Sequence, residues 1–226
     1  VAKIGTAFEA KNHESTLQYV FGKKFSKVFD YILVFFLFGI AVTMIAGSGS
    51  TFEQSFGIPT WLGALIMTVL IYLTLLLDFN KIVRALGIVT PFLIIMVILI
   101  AVFYLFTGSI SLGEVNSAMP ETSAWKGIFW GLVYGGLAFA VGFSTIVAIG
   151  GDASKRRVSG AGAMFGGVLY AILLALINFS LQTEYSKIKD VAIPTLNLAK
   201  GIHPWLGLVL TVIMLAVMYN TILGLC

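Results

Sequence analysis

Six apolar runs, at about 28–46, 60–77, 88–106, 128–149, 160–181 and 204–225, dictate what this chain can become. Each is near the ~20 residues that a helix needs to cross a bilayer. Lipid offers no hydrogen bonds, so a spanning segment must satisfy its own backbone, and a helix does that. The chain is 59% hydrophobic and 11% charged, whereas a soluble domain carries roughly 25% charged residues. The expected fold class is therefore all-α, a polytopic membrane protein with six transmembrane helices. Residues 28–226 form one transmembrane domain behind a cytoplasmic amphipathic segment, 1–27.

Loop charges orient the spans. Lys3, Lys11, Lys23, Lys24 and Lys27 precede the first run, Lys81 and Arg84 follow the second, and Lys155, Arg156 and Arg157 follow the fourth. Those ten basic residues share one side, while Lys126, Lys187, Lys189 and Lys200 make four on the other. Cytoplasmic loops carry the excess of Lys and Arg, which puts the start of the chain in the cytoplasm. The net charge of +4 is explained this way and does not point to nucleic acid. The stretch 15–30, STLQYVFGKKFSKVFD, reads as a basic amphipathic helix at the inner surface, with Gly22 weakening it. On the outer side, 182–203 is a long loop with Ile193, Pro194, Leu196 and Leu198, and reads as a packed lid.

The fourth run is unusual. Between Lys126 and Asp152 it has no charge, yet it holds Gly127, Gly131, Gly135, Gly136 and Gly142, with Tyr134, Ser144 and Thr145 near its middle. Such a span can break and expose backbone groups to a ligand. Pro91 marks a kink or the first turn of the third span. Gly162 and Gly166 suit close helix packing, and Asn178 suits an interhelical bond. Most span hydroxyls, such as Thr43, Thr68, Thr74, Thr211 and Thr221, are expected to bond their own backbone.

Enzyme chemistry finds little here. Gly142-Phe143-Ser144 has a G-x-S pattern, but no later span supplies a His base. With one Cys and two distant His residues there is no metal or disulfide framework. The expectation is a non-enzyme with no metal and no resident cofactor. The chain begins without Met and its last run lacks a polar flank, which reads as a fragment of a longer protein.

The run FSKVFDYILVFFLFGIAVTMIAGSGSTFEQSFGIPTWLG, followed by a short span and VTPFLI, resembles the YkvI-type bacterial membrane proteins. That group is similar to the amino acid–polyamine–organocation transporters, whose LeuT-like fold has two inverted five-helix repeats. The resemblance covers nearly the whole chain and is most specific over Phe25–Leu93. It implies that the six spans correspond to the third to eighth helices of a ten-helix core. The glycine-rich span then matches the broken sixth helix, placing Tyr134, Gly135, Gly136, Phe139, Gly142 and Phe143 at the substrate. Asn220 and Thr221 fall near the hydroxyls that bind Na⁺ in sodium-coupled members. The first helix, which carries the other half of that site, has no counterpart here.

The leading expectation is a secondary active transporter in the bacterial inner membrane. It moves a small organic solute, an amino acid or amine, by alternating access. No buried carboxylate is present to carry a proton, which favours Na⁺ as the coupling ion or a proton carrier elsewhere. The alternative is a non-transporting membrane sensor or scaffold. A transporter of this type requires the fourth span to be non-helical near Gly135–Gly142.

Overall fold

The computed structural model describes residues 2–8, 13–76, 89–108, 123–153 and 155–225. Leu77, Asp78, Ile88 and the basic residues Lys11, Lys81 and Arg84 lie outside them, as do the side chains of Ser144 and Thr145. All regular structure among the described residues is helical: α1 Ala2–Phe8, α2 His13–Phe56, α3 Thr60–Leu75, α4 Val89–Thr107, α5 Ala124–Asp152, α6 Arg156–Thr183, α7 Tyr185–Ile188, α8 Pro194–Ile202 and α9 Pro204–Leu225. Four of these, α2, α5, α6 and α9, contain stretches long and apolar enough to cross a membrane. The helix α3 has 16 residues, a rise of only about 24 Å against a hydrocarbon thickness of about 30 Å.

Two boundaries differ from the sequence reading. The segment at 15–30 divides at Gly22, and its part from Lys23 onward runs without interruption into the first span, which ends at Phe56. No proline or other strong breaker lies between Lys23 and Phe56, so nothing stops the helix. Gly22 alone departs from helical geometry, at φ 73 and ψ 165, and kinks α2 there. The second difference is larger: α5 is continuous from Ala124 to Asp152. The expected break at Gly135–Gly142 is absent. Glycine permits a break without forcing one, and no proline removes a hydrogen bond here. In an apolar setting, keeping every backbone bond is the lower-energy choice.

The chain forms two compact units. The first joins Val1–Leu37 to Met119–Ile172, and the second joins Phe38–Ala118 to Leu173–Cys226. In the second, α9 packs against α3, α4 and α8. Leu210 of α9 enters a core with Ile100, Tyr104, Leu196 and Leu198. Further along, Ile222 and Leu223 enter another with Met67 and Ile71. One helix therefore carries both cores. Leu210 is fully buried, and Leu210→Ala is expected to lower stability by roughly 2–5 kcal/mol, read as a drop in the thermal midpoint of detergent-solubilised protein.

The lid reading at 182–203 acquires detail. Its helix α8 begins at Pro194, a favoured first helical position. The Gln54 side chain grips Ile193 twice: its Nε2 donates to the Ile193 carbonyl at 3.1 Å and its Oε1 accepts from the Ile193 N–H at 3.0 Å. Lys200 Nζ donates to the Gln54 carbonyl, and Tyr104 Oη donates to the Leu198 carbonyl at 3.0 Å. Earlier in the segment, a hydrogen bond to Glu184 holds the Lys187 ammonium above its ordinary range. Gln54→Ala leaves the Ile193 N–H without its side-chain acceptor and its carbonyl with the Asn197 N–H at 3.3 Å, and should cost roughly 1–3 kcal/mol. Faster amide exchange over 191–202 is the expected readout, and unchanged exchange there would show that Gln54 is dispensable.

The tryptophans follow a pattern. Trp61, Trp125 and Trp205 are each the second residue of a helix, α3, α5 and α9. All are exposed on the protein, as is Trp130 one turn further along α5. Amphipathic indole rings favour the level of the lipid headgroups.

A candidate apolar binding cavity

In the first unit α1 packs against the C-terminal end of α5. The approach is close because both faces are glycine: a Cβ on Gly5 would strike the Val147 carbonyl, and one on Gly150 would strike the Ala2 carbonyl. Thr6 Oγ1 donates to the Gly150 carbonyl at 2.6 Å. Beside this junction lies an open apolar cavity of about 680 Å³, with Val20, Ile32 and Phe139 of its walls more than half exposed and a volume inside the size range of small-molecule sites.

Three segments line it. From α5 come Val133, Gly136, Leu137, Phe139, Ala140 and Phe143, which recur every three or four residues along one face. After the kink, α2 presents Phe29, Ile32, Leu33 and Phe36 at the same helical spacing. Before the kink it presents Thr16, Leu17, Val20 and Phe21, and α1 adds Ile4. The change of direction at Gly22 divides the α2 contribution in two. Phe21 and Phe29 meet across it, with stacked rings 4.1 Å apart.

The cavity is apolar, with Thr16 the sole polar side chain among the described residues that line it. Thr16 is 2% exposed, and its Oγ1 has no hydrogen-bond partner among the described residues. An unmade hydrogen bond at a buried hydroxyl costs roughly 1–3 kcal/mol. No group of three or more His, Cys, Asp or Glu that could hold a metal occurs among the described residues.

Of the six residues expected at the substrate, Gly136, Phe139 and Phe143 line the cavity. Tyr134 instead pairs its hydroxyl with that of Tyr170 of α6 at 3.2 Å. Gly135 faces open space, and Gly142 meets only Ile146 of its own helix. Since α5 is unbroken, the backbone groups of these residues are spent within the helix and are not free for a ligand. The sequence reading missed Thr16, Phe21 and Phe29, which it assigned to a surface helix. The signal was present in the spacing of Leu17, Val20 and Phe21.

Asn220 and Thr221 belong to the second unit. Thr221 Oγ1 donates to the Val217 carbonyl at 2.8 Å, and Asn220 Oδ1 is buried without a partner among the described residues. Thr43, Thr68, Thr74 and Thr211 likewise donate to carbonyls of their own helices. Asn178 accepts from Gln182 one turn along the same helix at 2.6 Å, and no bond from it to another helix is seen among the described residues. Gly162 and Gly166 have open space where tight packing was expected.

Apolar helices of membrane-crossing length, with hydroxyls satisfied internally, define a helical membrane protein. The chain is 25% identical over 181 residues to the uncharacterized membrane protein YkvI of Bacillus subtilis, covering 80% of this chain and 51% of that protein. It is 28% identical over 94 residues to the uncharacterized protein YyaD of the same organism, covering 42% of this chain and 28% of that protein. The chain thus spans about half of the first relative and less of the second. No family model matches, and no solved structure matches.

Proposed function

We propose that the protein is a membrane transport protein for a small organic solute, with the cavity between α2 and α5 as its solute site. The carrying observation is the cavity of about 680 Å³, whose lining takes in three of the six residues singled out from sequence. Its apolar walls favour a solute with an apolar body, such as an apolar amino acid or amine. In this reading the helices α3 and α4 complete a six-span arrangement, the start of the chain is cytoplasmic, and Na⁺ is the candidate coupling ion. Resemblance to the ten-helix transporters supports alternating access.

A second reading is favoured by the continuity of α5. A transporter of the LeuT-like kind gains its substrate contacts from a broken helix. An unbroken one suits a sensor that binds a solute without moving it. Uptake by proteoliposomes decides between them, using a panel of amino acids, amines and monocarboxylates with and without a Na⁺ gradient. Saturable uptake that disappears in Gly136→Phe is the expected result. Solute binding with no flux of any compound would overturn transport and leave the sensor.

A further inference from the structure

We infer that the first unit carries a docking face for anionic lipid, formed by α1, the stretch of α2 that follows Gly22, and the start of α6. Its partners are the phosphate-bearing headgroups of the bilayer around the protein. The inference does not depend on what the protein moves or senses.

The face is basic and unneutralised. Lys3, Lys23, Lys24, Lys27, Lys155, Arg156 and Arg157 are all exposed. None of these seven takes part in an ion pair among the described residues, where the pair Lys187–Glu184 belongs to the second unit. The acids nearby are fewer. Glu14 is exposed and accepts from Gln18 at 2.9 Å, and Asp30 follows Lys27 by one turn. Glu9 and Asp152, whose side chains lie outside the described ones, bring the acids to four against seven cations.

Two basic groups meet on this unit. The carbon stem of Lys3 occupies the place where a Gly160 side chain would be. Arg156, Arg157 and Gly160 are spaced three and four apart on α6 and share one side of it, so Lys3 stands beside the two arginines. Next to Lys3, Ile4 lines the same cavity as Val20 and Phe21, and Lys23 and Lys24 follow Phe21 directly past the Gly22 kink. Lys27 shares a helix side with both.

The surroundings select lipid as the partner. Tyr19, Val20, Phe25 and Val28 alternate with these lysines and are exposed. Aromatic and apolar side chains interleaved with lysines suit the boundary between headgroups and acyl chains. The cations also sit where the helices alone disfavour them. Like charges three or four apart repel along α2, and the first turn of α6 holds two arginines and no acid, against the helix dipole. Anionic headgroups offset both costs, and each Lys or Arg near such a surface strengthens association by roughly fivefold.

The test reconstitutes the protein in phosphatidylcholine vesicles with trace spin-labelled phosphatidylglycerol or spin-labelled phosphatidylcholine of identical chains. Electron paramagnetic resonance reads the fraction of each label immobilised by the protein. At low salt the phosphatidylglycerol label should associate at least about threefold more strongly. The preference should fade in about 1 M salt, where the Debye length is ~3 Å. Neutralising Lys23, Lys24 and Lys27 to Gln should lower it, as should neutralising Lys155, Arg156 and Arg157, and the six changes together should bring the two labels level. Lys126→Gln with Lys189→Gln, away from this face, should leave the preference intact. Equal association of the two labels with the parent protein would overturn the inference, as would a preference that survives the six changes. Where variants fold poorly, the salt dependence of the parent decides, and a preference unmoved by salt overturns it too. Displacement of the labelled lipid by polyglutamate but not by unlabelled phosphatidylglycerol would assign the face to an acidic protein instead.

Discussion

Valine in place of Gly49 is expected to destabilise the second unit by about 3 kcal/mol or more. The helices α2 and α3 cross at Gly49 and Gly63. A Cβ on Gly49 would collide with the carbonyl oxygen of Thr60, and one on Gly63 would come within 2.7 Å of the Phe52 Cβ and 3.1 Å of the Gly49 Cα. The obstructing atoms are largely backbone, so no rotamer change relieves them, and α3 must move away from α2. The connection gives little slack. The helix α2 ends at Gly57, with φ 68, where its N–H bonds the Glu53 carbonyl at 2.9 Å. This is a left-handed helix cap that glycine adopts without strain. Pro59 then fixes the entry to α3. Gly39→Ala is the matched control, since nothing lies within 4 Å of a Cβ there and alanine is the better helix former by about 1 kcal/mol. Thermal midpoints of the two variants in detergent should move in opposite directions. A Gly49→Val protein as stable as the parent would mean that the crossing can widen freely.

The second large effect concerns the cavity. Gly136→Phe should abolish solute binding, a loss of at least about a hundredfold. Gly136 lines the cavity and has nothing within 4 Å of a Cβ position, so a phenylalanine ring there fills volume that a solute would use. The ring displaces the ligand without straining the helix, since α5 accepts any ordinary side chain at this position. Gly135→Phe supplies the contrast. It is equally unobstructed but is not part of the lining, so binding should persist. Loss of binding in both variants would point to damage to α5 as a whole, and the cavity would no longer be identified as the site.

Much of this was readable in the sequence, for a definite reason. A bilayer imposes length and composition on a spanning helix, and the runs at 128–149, 160–181 and 204–225 fall inside α5, α6 and α9. Hydroxyls in apolar helices have few partners but the preceding turn, which is where Thr43, Thr68 and Thr221 turned out to donate. Continuity was harder to read. Gly135, Gly136 and Gly142 allow a break, but only tertiary context decides whether a ligand makes the break worthwhile. The site was harder still. Its walls come from 16–36 and 133–143, and no periodicity within one segment reveals which distant segment will face it. Thr16 stood out only once its burial was known.

The tryptophans at the helix starts have a spectroscopic consequence. All four lie within the opening seven residues of α3, α5 or α9, so the middles of the spans carry no indole. Ultraviolet emission from this protein therefore reports the margins of its helices and is nearly blind to their centres. Lipids brominated close to the headgroup should quench that emission more strongly than lipids brominated near the chain ends, turning the native fluorescence into a gauge of how deeply each helix start sits.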